Sequence, residues 1–132
     1  MAGADLDKSE RGDPENRLPL TPVTLNILLA LADEERHGYG IMLEVSDRTG
    51  GKMRIGPGTL YSSIRRLVEG RLIEESEARP APESDDERRR YYRLTDFGRK
   101  VLAAEIRRLE STVRAARKKG AYPAPGTAVG PA

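Results

Sequence analysis

Cysteine is absent from this chain and histidine occurs once, as His37. Thiolate zinc sites, iron–sulfur clusters, cysteine nucleophiles and paired-histidine metal motifs are therefore excluded. Serine–histidine hydrolysis would have to rest on His37 alone. No stretch approaches the roughly 18 consecutive apolar residues of a membrane helix. The acidic start lacks the basic region and apolar core of a secretory signal, so a soluble cytoplasmic protein is expected. A surplus of charge is missing too. The 23 Lys plus Arg and 21 Asp plus Glu leave a net charge of +2, and overall charge names no partner. No paired carboxylates with supporting polar residues suggest acid–base chemistry, and we expect no enzyme, no metal and no cofactor.

What is present is a pattern of helices with clear ends. Residues 1–17 are acidic with few large apolar side chains and read as a disordered arm, and 120–132, rich in Gly, Pro and Ala, as a disordered tail. Between them, Thr21-Pro22 opens a helix reaching about Ala32, apolar on more than one face, so that it needs burial on two sides. A second helix follows His37, with Tyr39, Met42 and Val45 on one side, and stops at Gly50-Gly51. Gly56-Pro57 starts a third, running to about Glu69 with Leu60, Ile64, Leu67 and Val68 as its buried face. Residues 72–78 and 88–95 read as two antiparallel strands around an acidic, proline-containing loop. Thr95-Asp96 then caps a long helix to about Lys118. The fold class expected is mainly α with a small β-hairpin: a winged helix-turn-helix domain over 18–95 plus a long C-terminal dimerisation helix over 96–119. The apolar stripe of that helix, Leu102, Ile106, Leu109 and Val113, is narrow enough for a coiled-coil-like seam, joined by Leu25 and Leu29 of the first helix.

Local charge says more than the total. From Lys52 to Arg66 there are four basic residues, Lys52, Arg54, Arg65 and Arg66, and no acid. On a helical wheel, Thr59, Ser62, Ser63 and Arg66 form one exposed strip of the third helix, with Tyr61 and Arg65 beside it and Gly58 at its start. Small residues at a helix N-terminus let the backbone approach a major groove, and arginine bonds guanine or phosphate. A second basic cluster, Arg88, Arg89 and Arg90 with Arg93 nearby, has two readings: a wing laid on the DNA backbone or minor groove, or a solvated run offset by Glu83, Asp85, Asp86 and Glu87 just before it.

The stretches LTPVTLNILLAL, HGYGIMLEV, IGPGTLYSSIRRLVEGRLI and RRRYYRLTDFGRKVL resemble the PadR-like transcriptional regulators, over most of residues 18–116. The resemblance implies a homodimeric winged-helix repressor that binds double-stranded DNA, with its terminal helices forming the dimer and Tyr61 of the GTLY motif near DNA. It also implies a small-molecule effector, of unknown identity, at the dimer interface. The single C-terminal helix places the chain in the shorter branch of that family.

The alternative is a winged-helix module that binds another protein without reading DNA sequence. Other features have plainer readings. Gly50-Gly51-Lys52 and Gly56-Pro57-Gly58 lack phosphate-loop spacing and read as turns. His37 reads as a cap or turn residue rather than a pH sensor, Met42 and Met53 as packing, and Glu105 and Glu110 as the polar face of the last helix.

Overall fold

The computed structural model describes residues 12–76 and 90–126. The expected wing tip, including Arg88 and Arg89, and the outer parts of the arm and the tail lie outside them. Among the described residues the order is a 3-10 turn (Pro14–Arg17), α1 (Pro22–Ala30), β1 (Arg36–His37), α2 (Gly38–Arg48), α3 (Pro57–Glu69), β2 (Ile73–Ser76), β3 (Tyr91–Leu94) and α4 (Asp96–Lys118). This is the expected winged helix, mainly α with a small antiparallel sheet.

Each helix begins where local chemistry starts it. The Thr21 hydroxyl accepts from the Thr24 N–H and Pro22 fills the first turn of α1. His37 caps α2 through Nδ1, which accepts from the Gly40 N–H at 2.9 Å, so the lone histidine is structural. Thr95 caps α4, accepting from the Gly98 N–H and donating to the Arg71 carbonyl. Among the described residues, three of the four helix ends share one hydrogen-bond pattern. In α2 and α4 the residue past the cap is a glycine with positive φ, Gly50 or Gly120, whose own N–H and the one after it bond back to the final turn. In α3 the same hydrogen bonds form, but the left-handed residue is Arg71 (φ 63°) and not the neighbouring Gly70.

The core joins Ile27, Leu28 and Leu31 of the first helical segment to Ile41 and Val45 of α2, Leu60, Ile64 and Leu67 of α3, Ile73, Leu94 and Val101. Each such side chain, fully buried, contributes about 1.5–3 kcal/mol. In α2 the buried set is Gly38, Ile41 and Val45, whereas Tyr39 is exposed with Leu43 one turn later, a correction to the face read from sequence.

Three further differences arise from contacts distant in sequence. The hairpin is a three-stranded sheet ordered β1-β3-β2, in which Arg36 and His37 pair with Tyr92 and Tyr91; a two-residue strand carries no readable period. Residues 14–17, expected to belong to the disordered arm, form a turn packed along α4, where the Arg17 guanidinium lies 5.2 Å from the Phe97 ring centre. Glu105, expected on the polar face, is buried: its carboxylate accepts from the Leu20 N–H at 3.0 Å and from both Arg108 nitrogens at 2.6 and 3.0 Å. The Arg108 hydrogen bonds hold this carboxyl below its usual range despite the opposing effect of burial.

Candidate nucleic-acid interface

Helix α3 is amphipathic and fixed on one side only. Leu60, Ile64 and Leu67 are buried, and Ser63, placed by the wheel on the open strip, is buried with them because it stands three residues after Leu60 on the same face. Gly58, Thr59, Arg65 and Arg66 are exposed, and Ser62 is half-buried, its hydroxyl donating to the Thr59 carbonyl. No atom lies close to where a Gly58 Cβ would be, so the first turn of α3 presents a bare backbone. The approach to α3 alternates: Met53 and Ile55 face inward while Lys52 and Arg54 face solvent, with Met53 N–H bonded to the Thr49 hydroxyl. Among the described residues no carboxylate forms an ion pair with Lys52, Arg54, Arg65 or Arg66. These four cations and the small residues of the first turn therefore flank one open helix.

Tyr61 is half-buried and its ring lies against Gly38, where a Cβ would come within 2.7 Å of the Tyr61 hydroxyl oxygen. The first turn of α2 and the flank of α3 are thus in contact. Burial first, then the Glu75 carboxylate, push the Tyr92 phenol above its usual range.

The wing differs from a simple basic strip. Glu74 faces Arg93 across β2 and β3, with their carboxylate oxygen and Nε 2.9 Å apart, and Arg93 also approaches Glu35 at 3.8 Å. Arg90 lies 3.5 Å from Glu75. Sequence reading set Arg90 and Arg93 against acids before them in the loop and missed those opposite, because cross-strand neighbours depend on register. Arg88 and Arg89 lie outside the described residues.

Of the expected dimer residues, Leu25 and Leu29 are half-buried against the core, and Leu102 is buried. Along α4 burial declines outward, through Ile106 and Leu109 to the exposed Val113. Beside this stripe runs an open groove of about 390 Å³ lined by Leu94, Arg99, Leu102, Ala103, Ile106 and Arg107. No group of His, Asp and Glu among the described residues has a metal-binding arrangement, and no helix among them is long and apolar enough to cross a membrane.

Comparison with known proteins agrees with this fold. The chain is 40% identical over 93 residues to the transcriptional regulator Rv3488 of Mycobacterium tuberculosis (strain ATCC 25618 / H37Rv), an alignment covering 70% of this chain and 79% of that protein. Its fold is similar to a transcriptional regulator from Clostridium thermocellum, with TM-score 0.60, 28% identity, and coverage of 73% of this chain and 90% of the other. RosR of H. salinarum is also similar, at TM-score 0.55 and 31% identity over 75% of this chain and 79% of that one. The model of the family described as the transcriptional regulator PadR-like family matches residues 27–104. With its winged-helix fold and the family signature spanning more than half of its length, the chain belongs to the PadR-like family of transcriptional regulators.

Proposed function

We propose that this regulator is a homodimeric repressor that reads an inverted-repeat operator with α3 in the major groove. The observation that carries this reading is the open face of α3, where Gly58, Thr59, Ser62, Arg65 and Arg66 stand free of any carboxylate partner among the described residues. In this reading Thr59, Ser62 and Arg66 face base edges, and Lys52, Arg54, Tyr61, Arg65 and the wing's Arg88 and Arg89 face phosphate and sugar, whereas Arg90 is engaged by Glu75. Residues 18–95 form the DNA-binding domain. The 96–119 helix pairs with its copy through Leu102, Ile106, Leu109 and Val113, with Leu25 and Leu29 alongside, and sets the two reading helices about 34 Å apart.

The groove along α4 supports the dimer and an effector together, because a second copy placed on Leu102 and Ile106 would roof it. A small molecule held there would change the separation of the two α3 helices and so release the operator. The test is a footprint on the DNA upstream of the gene, repeated with candidate aromatic compounds, alongside sedimentation of the free protein. A protected palindrome and a dimer are expected. Absence of saturable binding to any promoter would favour the protein-interaction module.

A further inference from the structure

We propose that Glu35, Glu74 and Glu75 are specificity-determining residues that hold Arg90 and Arg93 away from phosphate. This rests on the DNA-reading function proposed above. The register places Glu74 directly opposite Arg93, and extending the β1 and β3 pairing by one position puts Glu35 on the other side of Arg93. One guanidinium is thus flanked by two carboxylates in a row across the sheet, at 2.9 and 3.8 Å. The row is anchored: the hydroxyl of Ser76, itself buried, donates to the Glu35 carboxylate. On the opposite face of the sheet, Glu75 pairs with Arg90.

The consequence follows from how proteins bind nucleic acid without regard to sequence. Non-specific affinity comes from cations that neutralise phosphates and release counterions, each contributing about 0.9 to the slope of log K against log salt. An arginine already neutralised by carboxylates gains little by meeting a phosphate, since it must give up one anion for another. Arg90 and Arg93 therefore add little to non-specific binding, while Lys52, Arg54, Arg65 and Arg66 keep theirs. The ratio of specific to non-specific affinity rises without any new base contact. Glu35, Glu74 and Glu75 act on the partner that is rejected, as like charges do at selective protein interfaces.

The test uses the full chain and a random-sequence duplex, with anisotropy measured over a range of salt. Each of Glu35→Gln, Glu74→Gln and Glu75→Gln is expected to tighten binding about two- to fivefold, the range of an exposed ion pair. Glu35→Gln with Glu74→Gln should steepen the slope by about 1. Arg93→Gln supplies a cycle: in the native background it bares two carboxylates and should weaken binding, and in the doubly substituted one it should remove the gain. If the native protein binds duplex but all three variants match it in affinity and slope, this inference fails alone. If the native protein binds neither this duplex nor the DNA upstream of its gene, the DNA-reading function fails and takes this inference with it.

Discussion

Gly98, in the first turn of α4, lies against the carbonyl of Leu72 so closely that a Cβ would overlap that oxygen. The same carbonyl accepts from the Thr95 N–H at 3.1 Å, and the Thr95 hydroxyl donates to the Arg71 carbonyl at 2.6 Å. The turn that ends α3 and the cap that begins α4 are therefore one locked unit, and the long helix is rigidly joined to α3.

Gly98→Ala should destabilise the protein by about 3 kcal/mol, since backbone on both sides cannot yield as a side-chain tip can. Urea unfolding measures it. A variant within about 0.5 kcal/mol of the native protein would mean that the two segments are not packed as described.

Gly38→Ala should behave differently. The atoms in the way are the ring end of Tyr61, which can swing, and alanine in a helix gains up to about 1 kcal/mol over glycine. Stability should change little while DNA affinity falls, because Tyr61 is pushed from its seat beside α2. Equal losses in both measurements would place Tyr61 purely in packing.

Glu105→Gln should cost about 1 kcal/mol at neutral pH, a charge-assisted hydrogen bond discounted for the solvent exposure of Arg108. Glu105 has a lower pKa folded than unfolded, so its charge stabilises the fold fully above the ordinary glutamate range. That contribution fades as the pH falls through the folded value. The gap between native protein and variant should therefore close in acid. Protection of the Leu20 amide against exchange, relative to an unstructured amide at the same pH, should fall over the same interval, and a gap independent of pH would contradict the assignment.

Arg66→Ala should weaken operator binding by about 1–3 kcal/mol and relax base preference at one position of each half-site. Lys52→Ala should weaken all sequences alike and flatten the salt slope by about 1. Unchanged affinity in both, at fixed salt, would sink the proposed docking of α3.

Val113→Glu should leave the monomer's stability within about 0.5 kcal/mol, because Val113 is 38% exposed in the single chain. It should nonetheless shift the protein toward monomer in sedimentation, by placing a charge in the seam. A dimer that persists at micromolar concentration would move the interface elsewhere.

Much of this molecule was legible from the residues alone, wherever the cause is local. Thr21-Pro22, Gly56-Pro57 and Thr95-Asp96 start helices through bonds spanning three or four residues, and α3 runs from Pro57 to Glu69 as its sequence indicates. The stretch from Lys52 to Arg66 holds its cations without an acid in between, and the fold keeps them exposed. The tertiary structure decided what depends on neighbours distant along the chain. It buried Glu105 by bringing Leu20 to it and gave β1 a partner in β3. It also set Arg93 between Glu35 and Glu74. The reason is the range of the forces involved. Caps and helical periods are fixed by bonds within a turn, whereas the charge a wing presents depends on which strands lie side by side, and register is a property of the assembled sheet.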